Sequence, residues 1–140
     1  MPEEPTTGPV DIDVLERIGR RLSGNPRFER VETRPEDDRT AVVATYDTGY
    51  FPSKITRATL RISWFETDDF YAHYAERYSD GTSWECRWDR HPNEHNTRAH
   101  FHPPPDATTP GEDRDYAVDW REVLEPILES LDSRIKSFWS

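Results

Sequence analysis

The sequence of 140 residues contains little cysteine, little lysine and no long apolar run. Its one cysteine, Cys86, excludes an internal disulfide and a zinc motif built from several thiolates. No apolar stretch approaches the roughly 18 residues that cross a bilayer. Residues 1–9 also lack the basic and apolar regions of a signal peptide. We therefore expect a cytoplasmic protein without a membrane partner.

The charged residues are unusual in kind as well as in sign. Lysine occurs only at Lys54 and Lys136, against sixteen arginines, and 28 acidic residues bring the formal net charge to -10. An acidic, lysine-poor composition resembles that of salt-adapted proteins and predicts a halophilic protein of the haloarchaeal type. In molar salt the Debye length falls to about 3 Å. The negative charge therefore does not exclude RNA as a partner.

The length and the aromatic content predict one folded domain. Aromatic residues make up 12% of the chain and include five tryptophans, whereas disordered chains are poor in aromatics. A chain of this length supports one modest core. Residues 1–10 carry three prolines and predict a disordered tail. We expect residues 11–140 to form a single α+β domain.

Hydrophobic periodicity predicts two helices with strands between them. Apolar residues recur at helical spacing from Asp11 or Asp13 to the Ser23-Gly24 stop, and again from Asp119 to Trp139. Between these segments the period changes to two. Alternating or strand-forming stretches predict about six strands, at residues 28–31, 41–46, 55–66, 70–78, 83–90 and 98–102. The predicted fold is a mostly antiparallel sheet with an N-terminal and a C-terminal helix packed on one face.

Side-chain parity divides the central strands into two faces, since alternate residues of a strand point to opposite sides. One face is apolar, as in Ala58, Leu60, Ile62 and Trp64, and we expect the helices to cover it. The opposite face gathers cationic, imidazole and carboxylate side chains, namely Arg57, Arg61, His73, Arg77, Arg87, Asp89, His91, His100 and His102. A merely solvated sheet face also gives a polar pattern.

Two features favour a functional face over a merely solvated one. Four of the five histidines, His91, His95, His100 and His102, fall within twelve residues. The segment 84–102 carries three arginines and three acidic residues, so its formal charge is zero while the rest of the chain holds all the excess negative charge. The least acidic segment is thus also the one richest in histidine.

The same segment resembles a known family. Arg87-Trp88-Asp89, followed by His91-Pro92, His95, His100 and His102, is similar to the C-terminal signature of TumE-type toxins of toxin–antitoxin systems. The resemblance covers roughly residues 55–105. It implies a growth-inhibiting toxin that acts on RNA and is neutralised by an antitoxin protein with a DNA-binding domain.

These residue types suit RNA cleavage without a metal. The reaction needs a base for the 2′-hydroxyl, an acid for the leaving 5′-oxygen and cations for the charged transition state. An imidazole serves as acid or base near neutral pH, and guanidinium binds phosphate through a planar fork. We therefore predict a metal-independent endoribonuclease without a cofactor. Its predicted catalytic residues are Arg87, Asp89, His91, His95, His100 and His102, and its predicted substrate-binding residues are Arg57, Arg61, His73 and Arg77.

Two other classes of function fit the same residues. His100 and His102 lie two residues apart on one strand face, so with His91, His95 or Asp89 they can form the ligand set of a metal-dependent hydrolase. Alternatively, the arginine-rich face belongs to a non-catalytic binding module for RNA or a partner protein. The sequence leaves these alternatives open.

Overall fold

The computed structural model describes residues 8–36, 39–91, 99–109 and 111–140. Within these ranges the chain forms two α-helices, seven strands and a short 3-10 helix at Thr48–Tyr50. In chain order the elements are α1 (Ile12–Ser23), β1 (Phe28–Glu36), β2 (Arg39–Tyr46), β3 (Ile55–Trp64), β4 (Phe70–Tyr78), β5 (Ser83–Arg90), β6 (Ala99–His102), β7 (Glu112–Asp113) and α2 (Trp120–Ser137). The α+β prediction is confirmed.

Both helices begin at aspartates, as the sequence predicts. The Asp11 carboxylate accepts a hydrogen bond from the Val14 amide at 3.1 Å, which satisfies one of the free donors of the first turn of α1. The Asp119 carboxylate accepts from the Arg121 amide at 2.8 Å and caps α2 in the same way. Gly24 follows the last residue of α1. Each cap fixes where its helix starts relative to the sheet.

The seven strands pair in chain order, each antiparallel to the next. The sequence predicts about six strands and misses β7. This strand has two residues, and it pairs Asp113 with His100 and Glu112 with Phe101. Two residues are too few for a recognisable alternation. The pairing nevertheless places β7 beside the histidines of β6.

The apolar face of the sheet forms one core with the two helices, as predicted. Leu60 of β3, Tyr74 of β4 and Cys86 of β5 lie opposite one another in register. They share a buried cluster with Leu15 of α1 and Ile127 of α2. Burial raises the pKa of the Cys86 thiol to about 12, so this side chain behaves as a small packed group.

A charged side chain, that of Glu76, is buried between the sheet and α2. Glu76 of β4 is fully buried and accepts two hydrogen bonds from the Arg134 guanidinium of α2, at 2.8 and 2.9 Å. The Tyr74 and Tyr78 hydroxyls donate to the same carboxylate at 2.6 and 3.0 Å. The network joins α2 to the middle of the sheet.

The described chain starts alongside β3. Val10 forms an isolated antiparallel bridge with Phe65, and the Pro9 carbonyl accepts a hydrogen bond from the Glu66 amide at 2.9 Å. Residues 1–7 lie outside the described ranges, so the tail over residues 1–10 and the domain over 11–140 remain predictions. Of the two described helices, neither combines the length and the apolar content that a membrane crossing requires.

Candidate functional site

A row of basic side chains crosses the polar face from β3 to β6. Arg61 pairs with His73, His73 with Arg87, and Arg87 with His102. Opposed residues of antiparallel strands have Cα atoms about 4.5–5.5 Å apart. Imidazole and guanidinium groups therefore alternate between neighbouring strands.

A buried carboxylate lies next to this row. Asp89 is two residues from Arg87 on β5 and is fully buried. Its Oδ2 accepts a hydrogen bond from Arg87 Nε at 2.9 Å and lies 3.0 Å from His102 Nε2. Arg87 Nη2 lies 3.1 Å from the same His102 nitrogen. One oxygen of Asp89 thus holds the Arg87 guanidinium and also lies against the His102 imidazole.

The connector between β6 and β7, described at residues 103–109 and 111, fixes the other side of the His102 ring. His102 Nδ1 lies 3.0 Å from the Thr108 carbonyl oxygen. Because a carbonyl only accepts, this contact requires the proton on Nδ1. Gly111 packs against the same ring, and a Cβ at this position would lie 2.8 Å from it. The connector therefore needs a glycine here.

The histidines of β6 are more buried than the sequence predicts. The sequence predicts exposed histidines on β6, but His100 is 8% exposed and His102 is 4% exposed. The reason is the connector: Thr108 and Gly111 lie against His102, and Asp113 of β7 pairs with His100. These two imidazoles are components of a packed site rather than polar surface.

The second oxygen of Asp89 faces two other imidazoles. Oδ1 lies 3.5 Å from His100 Nδ1 and 3.7 Å from His91 Nε2. It is buried and has no hydrogen-bond partner among the described residues. The His91 ring stacks on Tyr71 at a centroid distance of 5.8 Å. Among the described residues, Asp89, His100 and His102 each offer a potential metal-ligand atom within 4.8 Å of the others.

On the other side of Arg87, a second histidine is paired with a carboxylate. His73 Nε2 lies 2.8 Å from Glu85 Oε1, and both side chains are about one-third exposed. Burial lowers the pKa of His73 below its ordinary value, and nearby Arg61 and Arg87 act in the same direction. The Glu85 carboxylate opposes this shift. The net effect favours neutral His73 near pH 7.

The predicted arginines occupy different parts of the face. Arg61 donates to Glu36 at 3.0 Å and to Thr59 at 3.0 Å, and it remains about one-third exposed. Arg57 and Arg77 are exposed and lie opposite each other. Arg77 is four residues from His73, or about 13 Å along β4. His95, also predicted as catalytic, lies outside the described residues.

The sequence-based site omitted Glu85, Thr108 and Asp113, whose oxygen atoms lie near its histidines. Glu85 shares the parity of Arg87 and Asp89, so the alternation of β5 was a usable signal. Thr108 lies on the connector, and Asp113 lies on β7, which the connector brings beside β6. Its course depends on tertiary pairing, and no sequence pattern indicates it.

The fold and the site together define an α+β protein with an imidazole–guanidinium–carboxylate cluster on one face of an antiparallel sheet. A family model described as Toxin TumE matches residues 15–135, and the chain belongs to this family. Comparisons with curated proteins and with solved structures give no match. The family assigns the protein a toxin role and implies an antitoxin partner. The matched range contains the whole cluster.

Proposed function

We propose that the toxin is an endoribonuclease and that the site around Arg87 cleaves RNA. The observation that carries this proposal is a pair of histidine–carboxylate contacts on the two sides of Arg87. Glu85 and Asp89 lie two residues before and after Arg87 on β5, and they contact His73 and His102, respectively. A cation flanked by oriented imidazoles suits phosphodiester cleavage by the 2′-hydroxyl.

His73 is the proposed general base. A base must be neutral when it takes the 2′-hydroxyl proton, and the lowered pKa of His73 favours the neutral form. Its ring is about 30% exposed, so substrate can reach it. Glu85 orients the ring and stabilises the imidazolium that forms when the proton is taken. The leaving 5′-oxygen takes its proton from water.

Arg87 is the proposed phosphate-binding residue. Its side chain is 32% exposed although the carboxylate that holds it is fully buried. Asp89 engages Nε, and His102 lies against Nη2. A guanidinium has five N–H donors, so Nη1 remains for phosphate oxygens. Asp89 and His102 are positioning residues in this proposal, while Arg61, Arg57 and Arg77 bind further phosphates along the face.

The RNA chemistry is tested with purified protein, total RNA and single-stranded DNA, with and without molar KCl because the composition predicts salt adaptation. We expect RNA to be cut, with 2′,3′-cyclic phosphate ends, and DNA to remain intact because it lacks the attacking hydroxyl. Growth inhibition without new RNA ends would contradict the proposal and favour a binding module. The proposed setting is the cytoplasm, with an antitoxin that carries a DNA-binding domain.

The pH dependence tests His73 as the base. The neutral fraction of His73 rises with pH, so we expect kcat/KM to rise through the pKa of His73 and then level off. The midpoint should lie below about 6.5, the ordinary pKa of histidine. Glu85→Gln removes the carboxylate that raises this pKa, so the midpoint should move to lower pH. The measurement is kcat/KM between pH 4.5 and 8.

A substitution of His73 itself provides the control for that profile. His73→Gln should remove the low-pH limb and most of the activity together. An unchanged midpoint in Glu85→Gln, or a wild-type profile in His73→Gln, would exclude His73 as the base. A purely structural role for either residue would lower the rate without moving the midpoint.

A further inference from the structure

We propose that Asp89 Oδ1, His91 Nε2 and His100 Nδ1 bind one divalent transition-metal ion of the zinc type. This site lies on the opposite side of the Asp89 carboxylate from Arg87. The inference departs from the sequence-based expectation of a protein without a cofactor. It assigns His91 and His100, first predicted as catalytic, a ligand role. It does not depend on RNA cleavage, because neither Arg87 nor His73 is a ligand.

The distances from Asp89 Oδ1 to the two imidazole nitrogens fit ligands of one metal ion. Asp89 Oδ1 lies 3.5 Å from His100 Nδ1 and 3.7 Å from His91 Nε2, longer than ordinary hydrogen bonds. Zinc binds imidazole nitrogen and carboxylate oxygen at roughly 2.0–2.2 Å, which in a tetrahedral site separates two ligand atoms by about 3.4 Å. Both separations from Oδ1 are therefore close to that of two ligands that share a tetrahedral ion.

The two oxygens of Asp89 have different environments. Oδ2 receives Arg87 Nε and lies beside His102 Nε2, so a guanidinium already occupies that side. Oδ1 is buried and lacks a hydrogen-bond partner among the described residues. A buried acceptor without a partner is costly, and a native structure calls for an explanation of it. An ion bound at Oδ1 supplies this partner without displacing Arg87.

The surroundings of the two imidazoles fit a ligand role. Histidine ligands commonly direct their second ring nitrogen toward a carboxylate, which orients the ring and makes it more basic. The second ring nitrogen of His100 faces such a group at a longer range, since Nε2 lies 3.8 Å from Asp113 Oδ1. His91 is oriented by stacking on Tyr71. Its side chain is 31% exposed, which gives solvent access to the site.

The ligand chemistry selects the class of metal. Two imidazoles and one carboxylate suit zinc and related transition metals, whereas magnesium prefers oxygen ligands and water. Three protein ligands also leave a coordination position open in a tetrahedral site. We therefore expect tight binding of zinc and no comparable binding of magnesium.

The test is calorimetric titration of EDTA-treated, dialysed full-length protein with zinc chloride, followed by measurement of bound zinc. We expect one zinc per chain, a higher melting temperature with zinc, and no saturable binding of magnesium. His91→Gln and His100→Gln should each weaken zinc binding at least tenfold. The matched control is His73→Gln, a histidine on the same face with similar exposure to His91, and its zinc affinity should equal that of the wild type.

Three outcomes would contradict the site. Folded wild-type protein that takes up no stoichiometric zinc would exclude it, as would full zinc affinity in His91→Gln. Equal losses in His73→Gln and His91→Gln would indicate adventitious binding to surface imidazoles. Buried His100 also supports packing, so His100→Gln could unfold for that reason alone. In that case the zinc affinity of His91→Gln decides the question. Loss of zinc binding with retained RNA cleavage would leave the proposed function unaffected.

Discussion

Arg87→Ala is expected to abolish growth inhibition and to reduce RNA cleavage about 100- to 1,000-fold, the effect of removing one donor that stabilises a charged transition state. Arg87 occupies the centre of the basic row, between His73 and His102. Its partly exposed guanidinium is held by a carboxylate that is fully buried. The measurements are colony formation after induction and single-turnover cleavage of RNA.

The structure changes the expected effect of this substitution on stability. From its position on the polar face, Arg87→Ala would leave the fold intact. The Nε contact with buried Asp89 means that alanine also leaves a carboxylate less well compensated. We therefore expect a lower melting temperature as well as lost activity.

Two further substitutions separate activity from folding. Arg87→Lys keeps a cation near Asp89 but loses the planar fork, so it should recover stability more than activity. Arg77→Ala removes an exposed arginine about four residues along the same face from His73. It should reduce cleavage by less than tenfold. Comparable losses in Arg77→Ala and Arg87→Ala would mean that the whole face contributes only diffuse charge.

The strands of the sheet can be predicted from the sequence because one face of the sheet is buried. A shift of register by one residue would turn Leu60 and Ile62 toward solvent, so alternation in β3 fixes the face of every neighbour. The boundaries of β4 and β5, at Phe70–Tyr78 and Ser83–Arg90, therefore follow from the sequence. The pairing of β7 does not, because it depends on how the connector folds back.

The sequence predicts which residues form the site but not which of them are buried. Alternation on adjacent strands places Arg87, Asp89, His100 and His102 on one face. Which imidazoles are covered depends on the connector, whose contacts are set by tertiary structure. The sequence thus identifies the chemical groups but cannot distinguish a solvated face from a packed cluster.

Glu76 shows a second limit of the parity argument. It lies between Tyr74 and Tyr78 on the apolar side of β4, where alternation predicts a core residue. Its partner Arg134 is on α2, 58 residues later in the chain. Local patterns carry no signal for such a distant pair. The sequence therefore gives no indication that a charge is buried between sheet and helix.

Arg134→Ala is expected to lower the free energy of unfolding by about 3–5 kcal/mol, the cost of breaking a buried ion pair. The substitution removes both guanidinium hydrogen bonds to Glu76, at 2.8 and 2.9 Å, and leaves that carboxylate buried with only the two tyrosine hydroxyls. It also removes the guanidinium that lies 3.5 Å from the Trp84 ring centroid. The measurement is urea unfolding followed by tryptophan fluorescence and circular dichroism.

An exposed arginine–glutamate pair between the helices provides the control. Arg21 and Glu125 form an ion pair at 2.7 Å with about half of each side chain in solvent, so Arg21→Ala should cost at most about 1 kcal/mol. The double substitution Glu76→Gln with Arg134→Met removes both buried charges, and it should regain much of the stability lost in Arg134→Ala. Equal costs for Arg21→Ala and Arg134→Ala would show that Glu76 is compensated without Arg134. If the double variant were no more stable than Arg134→Ala, the loss would come from packing against Trp84 rather than from the uncompensated charge.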